Sequence, residues 1–347
     1  MPAELLFFGA GAIGAFYASR VALNPDTNVS VICRSNYAAV SSNGFQITSP
    51  QYGDYRWRPT RTFNSVQAAR DSKVKWDFVV VCTKALPDRS DDSKLISPVV
   101  GADTAIVLIQ NGLGVEQPYT ERFPASPIIS AVTIASCAQV SDGHVKHNRW
   151  TRINIGPYFS GGASPTSAGV KDRATALTQT LVDLLLRGGG VKDAIADTHE
   201  KLQLVRWHKI AINASMNPSA VLSGGSTNEE MANDPELSAH LKGVMDEVLT
   251  TAPKVVGEPF PASFATSEAI LRSTRRNKSG SKPSMLIDWE SGKPMELEVI
   301  LGNPIRLARE KGYEMPRMQT LYALLKSCER NRELQKQQQK GSKDSKL

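Results

Sequence analysis

Lys209, Asn213 and Asn217 stand at four-residue intervals in the stretch RWHKIAINASMNPS, residues 206–219. At 3.6 residues per turn, such steps hold the three side chains on one slowly drifting helical stripe. Leu202, Val205 and Met216 share that side, while Leu204, Trp207, Ala211 and Ala214 cover the other. A helix apolar nearly all round is buried in a larger body. An ammonium placed there needs a partner or a cavity, because a lone buried charge is costly or gives up its proton. The competing reading is a lysine stem lying along apolar surface with its head in water. Two asparagines stacked on the same side favour a cavity, in which a proton donor is flanked by neutral amides able to fix a ligand's oxygens.

A second cluster lies at the start of the chain. In FFGAGAIGAFY, the residues Gly9, Ala10, Gly11, Ala12, Ile13 and Gly14 form a G-x-G-x-x-G pattern after a strand and at the opening of a helix. In that setting the glycines permit a tight turn and close approach of backbone to a pyrophosphate, seated on the positive end of the helix. The alternative is a glycine-rich turn with no ligand. About 20 residues on, where a carboxylate would hold the ribose hydroxyls of NAD, the chain has Arg34. A guanidinium there suits a 2′-phosphate and favours NADP(H), although an arginine at a strand end is also an ordinary surface charge. Lys84 in VCTKA and Asn111 in IQNGLG follow two further strands, on the side where ligands bind in such sheets. Lys84 could touch cofactor phosphate or ribose, and Asn111 the nicotinamide and substrate. From position alone each is equally a loop residue.

Elements able to position these groups follow from patterning. Residues 4–9, 29–34, 76–83, 104–110 and 127–135 are short apolar, β-branched runs that read as strands of a parallel sheet buried on both faces. Their alternation with helical stretches predicts a doubly wound α/β domain of the Rossmann type over residues 1–196. Residues 138–156 read as antiparallel strands added at the sheet edge, turning near Asp142 and Gly143. From Asp197, with Glu200 completing a capping box, only helical signals remain, so an all-helical C-terminal domain is expected over 197–335. Residues 276–284 interrupt it as a basic loop, and 336–347 read as a disordered basic tail.

Composition bounds the partners. The 347 residues suit two domains, and 41% hydrophobic content without a run of about 18 uncharged apolar positions predicts no membrane span. Glu4 stands where a signal peptide carries positive charge. Of the net +7, seven Lys/Arg against three Asp/Glu from Lys326 onward place +4 in the C-terminal segment. The remainder is too small for a phosphate-tracking surface, and no nucleic acid is expected. Cys33, Cys82, Cys137 and Cys328 lack metal-like spacing, so no metal site and no disulfide framework are expected.

Taken in order, GAGAIG, Arg34, CTKA, QNGLG, WHKIAINASMNP and SMLIDWESGKPMELE resemble the ketopantoate reductase (2-dehydropantoate 2-reductase) family over residues 4–330. The resemblance implies a Rossmann domain and a helical domain with an active site in the cleft between them. It implies Lys209 as the catalytic lysine and Glu296 as the active-site glutamate, with Glu298 not matching. It further implies that Asn213, Asn217, Asn111, Ser284 and Asn228 bind substrate, Ser284 through its carboxylate. Ser281 departs from the family, whose members often have asparagine there. A homodimer through the helical domain is also implied.

The implied chemistry is NADPH-dependent reduction of the small 2-keto acid 2-dehydropantoate to pantoate, as in pantothenate biosynthesis. NADPH supplies hydride, and Lys209 donates a proton as the alkoxide develops. Glu296 is the natural partner for the lysine. A reductase acting on ketoisovalerate or another branched 2-oxo acid is an alternative, as is a non-catalytic NADPH-binding regulator. Ser345, Lys346 and Leu347 spell S-K-L, the address read by the peroxisomal import receptor in a eukaryotic cell; cytoplasmic residence is the alternative.

Overall fold

The computed structural model describes residues 2–161 and 165–344, with side chains through Gln338. The S-K-L residues therefore lie outside the described residues. The chain divides into two compact units. One holds residues 1–85, 90–111 and 115–202; the other holds 86–89, 112–114 and 203–347.

The first unit is built on one sheet: β1 (Ala3–Phe8), β2 (Thr27–Ile32), β3 (Phe45–Thr48), β4 (Tyr55–Trp57), β5 (Thr62–Phe63), β6 (Phe78–Val81), β7 (Ala105–Leu108), β8 (Ile128–Ser141), β9 (His144–Pro157) and β10 (Ala194–Ala196). Its order is β4-β3-β9-β8-β7-β6-β1-β2-β5, with β10 also on β9. The strands from β2 to β8 on that path are parallel neighbours. Residues of β6 and β7 are buried throughout, as expected of strands covered on both faces. The helices are α1 (Ala12–Val21), α2 (Tyr37–Asn43), α3 (Val66–Asp71), α4 (Asp92–Ile96), α5 (Gln117–Arg122) and α6 (Ala168–Asp183). Ala15, Phe16 and Ala18 of α1 join Leu5, Phe7, Val29, Val31, Phe78, Val80 and Val107 in one core. The doubly wound expectation holds.

Register places the site. Phe8 pairs with both Ile32 and Val81, Val81 with Leu108, and Leu108 with Ser130. The strands thus end in a row, and Gly9, Arg34, Lys84 and Asn111 all emerge at the same carboxyl edge. Chain order reverses beside β1, which has β2 on one side and β6 on the other. That is the switch point where open α/β sheets bind ligands.

Three local expectations need correction. The β8–β9 pair does turn at Asp142–Gly143, but β9 is not an edge, because β3 pairs with its first half and β10 with its second. The short, half-polar β3 and β4 carry too little alternation to read as strands. Asp197 does not cap the helix; Thr198 Oγ1 accepts from Lys201 N at 3.3 Å, while Asp197 accepts from Asn154 and pairs with Lys201. Residues 336–344, expected as disordered, continue the last helix. They are rich in glutamine and lysine, which propagate a helix already nucleated upstream.

The second unit is helical: most of α7 (His199–Leu222), then α8 (Asn228–Asn233), α9 (Pro235–Val256), α10 (Ser267–Arg276), α11 (Ser284–Glu290), α12 (Asn303–Glu310) and α13 (Pro316–Asp344). A π-helical turn, Glu298–Gly302, leads into α12. Residues 86–89 belong here because Arg89 pairs with Glu333 at 2.6 Å and Asp88 with Lys326 at 3.6 Å on α13. Among the described residues no helix is long and apolar enough to cross a membrane.

Candidate active site

In the first unit the glycine loop joins β1 to α1. Gly9 has φ +97°, and a Cβ there would lie 2.8 Å from Thr83 N and 2.9 Å from Thr83 Cγ2. A Cβ on Gly14 would collide with the Gly9 carbonyl oxygen. Gly11 differs: a Cβ on it would meet nothing within 4 Å. It is the N-cap of α1 and offers no side-chain acceptor to the N–H groups of the first turn. A pyrophosphate fits such a cradle. The buried Asn36 donates from Nδ2 to Ala10 O at 3.0 Å, tying the β2 loop to the glycine loop. Arg34, two residues earlier in that loop, is exposed. Lys84 is exposed and Asn111 half-buried.

A polar network unread in the sequence lies beneath these residues. Thr83 Oγ1 donates to Asp92 Oδ2 at 2.5 Å, and Gln110 Nε2 donates to the same oxygen at 3.3 Å and to Thr83 O at 3.1 Å. Burial pushes the Asp92 carboxyl upward, against the hydrogen bond from Thr83 and the positive field of Arg34. Asp92 thus fixes Thr83, whose backbone and methyl abut Gly9.

The second unit carries the lysine. Lys209 is half-buried on α7. Its pKa is lowered to about 8, first by burial and then by the like charge of Arg206, with Glu296 opposing both. Glu296 is 5% exposed and sits just before the π-helical turn, with its carbonyl accepting from Ile300 N at 3.2 Å. The structure therefore brings together the two residues expected to be catalytic. Asn217 is 4% exposed, and its Nδ2 has no hydrogen-bond partner among the described residues. An amide left so costs about 1–3 kcal/mol unless a ligand engages it. Asn213, half-buried, lies one turn from each of the other two.

The remaining expected residues are placed differently. Ser284 is exposed as the first residue of α11, joined to none of these groups by a hydrogen bond among the described residues. Asn228 opens α8, with its N donating to Ser281 O at 3.1 Å and its Nδ2 to Ser281 Oγ at 3.4 Å. Glu298 is occupied elsewhere, accepting from Tyr322 at 2.6 Å and pairing with Arg306 at 2.8 Å and Lys326 at 3.0 Å. Despite burial, those contacts hold its carboxyl below the usual range. Residues 112–114 belong to this second unit. Leu113 N donates to Val299 O at 2.9 Å, and Asn303 Nδ2 to Leu113 O at 2.7 Å. Arg206 Nη1 donates to Gly112 O at 2.9 Å. Sequence reasoning missed Arg206; its one signal was its place three residues before Lys209 on the same stripe. Among the described residues no cluster of three or more His, Cys, Asp or Glu could hold a metal ion.

The family profile of ketopantoate reductase PanE/ApbA matches residues 5–159, and that of its C-terminal domain matches residues 201–329. The chain belongs to the ketopantoate reductase family. Members are NAD(P)H-dependent oxidoreductases, in keeping with the cradle at Gly11. The 2-dehydropantoate 2-reductase of Nostoc sp. (strain PCC 7120) is 30% identical, covering 93% of this chain and 95% of that protein. An uncharacterized protein of Saccharomyces cerevisiae is 28% identical over 93% of this chain and 92% of its own length. Among solved structures, the 2-dehydropantoate 2-reductase from Methylococcus capsulatus superposes with a TM-score of 0.79 at 32% identity, covering 95% and 97% of the two chains.

Proposed function

We propose that this ketopantoate reductase family member reduces 2-dehydropantoate to pantoate with NADPH. The observation that carries the reading is Lys209, acted on by Glu296, on a helix that also carries the buried Asn217, whose Nδ2 has no hydrogen-bond partner among the described residues. Bound at the glycine loop, the dinucleotide supplies hydride to the 2-oxo carbon. The chain's own residues do the rest. The Lys209 ammonium donates a hydrogen bond to the ketone oxygen and passes its proton as negative charge builds there. Glu296 keeps the amine charged against the burial that lowers its pKa, and the neutral Asn213 and Asn217 orient substrate oxygens without altering that charge. Arg34, exposed at the end of β2, supports NADPH over NADH.

Steady-state NADPH oxidation with a panel of 2-oxo acids tests the reading. Highest kcat/KM is expected with 2-dehydropantoate. A preference for ketoisovalerate or another branched acid would move the assignment to a neighbouring 2-oxo acid reductase, and no turnover with any acid would end it. The same reading includes a homodimer, which light scattering at assay concentration checks.

A further inference from the structure

Five polar side chains of α7, Gln203, Arg206, Lys209, Asn213 and Asn217, fall within about a third of the helix circumference. Arg206 is 2% exposed, far from ordinary for a residue type that is mostly solvated. Its guanidinium stands one turn before Lys209 and donates to the carbonyl of Gly112, the second residue of the Asn111–Gly112 turn. The cations of Arg206 and Lys209 and the carboxylate of Glu296 lie in this part of the second unit. Both Arg206, from the same helix, and Glu296, from the segment preceding the π-helical turn, act on the charge of Lys209.

We propose that Arg206 is a positioning residue for the reaction, holding Gly112 to α7 and carrying a fixed positive charge one helical turn from Lys209. Its two roles are separable. The charge acts through space on the ammonium, a like-charge effect that favours release of the proton. Burial already lowers the Lys209 pKa, and Arg206 adds to it in the same direction. The hydrogen bond acts on the loop, and Gly112 is seated so closely on Val299 that a Cβ would collide with that side chain. Gly112 is thus held at its carbonyl by Arg206 and at its Cα by Val299. The proposal rests on Lys209 being the proton donor of a 2-oxo acid reductase.

The experiment follows the pH dependence of Lys209 acylation by an amine-reactive anhydride, read by mass spectrometry on the free full-length protein, where no turnover is needed. In the unsubstituted protein the midpoint is expected near 8. Arg206→Gln, which can still donate to Gly112 O, should raise it by about one pH unit; Arg206→Lys, which keeps the charge, should leave it in place. In oxo-acid reduction, Arg206→Lys should raise KM several-fold at little change in kcat, and Arg206→Gln should move the alkaline limb of kcat/KM upward. An unmoved midpoint in Arg206→Gln, or equal shifts in both variants, would overturn the proposal. If Arg206→Gln does not fold, a midpoint in the unsubstituted protein at or above about 10, the ordinary lysine value, would overturn it as well. Absence of turnover with any 2-oxo acid would end the enzymatic reading while leaving the labelling result to judge Arg206.

Discussion

At the scale of single residues, the proposed chemistry rests on Lys209, an amine whose pKa burial lowers. Replacing Lys209 by alanine should lower kcat by several orders of magnitude while NADPH affinity, set by the other unit, stays within about twofold; isothermal titration beside single-turnover kinetics checks both. The pH sign follows from the lowered pKa. In the proposed reaction Lys209 must be protonated, so kcat/KM should be level below about pH 7 and fall tenfold per unit above about 8. A limb near 10 instead would mean that the amine is not desolvated when it works. Lys209, Asn213 and Asn217 were legible in the sequence because helical spacing is a property of neighbours. That Glu296 rather than Glu298 faces the lysine was legible only by family resemblance, since the two are separated by one residue and differ in long-range contacts.

At the scale of elements, the β1 loop gives each glycine a different task, which can be tested separately. Gly11→Ala should leave thermal stability within about 2 °C, because its Cβ enters open space, yet weaken dinucleotide binding at least tenfold by filling the cradle. Gly112→Ala should do the reverse in kind. With φ at +94° and Val299 against it, the change should cost about 1–3 kcal/mol of stability, seen in urea unfolding, along with lost turnover. The strands β1, β2, β6, β7 and the start of β8 were readable because both faces are buried and the apolar run is unbroken. The strands β3, β4, β5 and β10 have two to four residues each, and pairing with distant partners, not local pattern, makes them strands. The Thr83–Asp92–Gln110 network was invisible for the same reason, its members being 9 to 27 residues apart in the chain.

At the scale of the whole molecule, a ligand that binds only the folded chain must stabilise it. NADPH at a hundredfold its dissociation constant should add about 2.7 kcal/mol, and NADH at equal concentration clearly less; Arg34→Asp should reverse the order of the two thermal shifts. Equal shifts before and after that substitution would remove Arg34 from cofactor choice. Two units were expected from length, and the division between helices and sheet was plain. That residues 86–89 and 112–114 leave the sheet unit to join the helical one was not, because ion pairs to α13 and hydrogen bonds to Val299 and Asn303 decide it. The π-helical turn Glu298–Gly302 makes residue count matter as much as residue identity. Each residue of a helix turns the chain by about 100°, so deleting one between Leu297 and Gly302 would rotate Glu296 relative to α12 by that angle. Every side chain of the site would survive in such a variant, and the carboxylate would be aimed elsewhere.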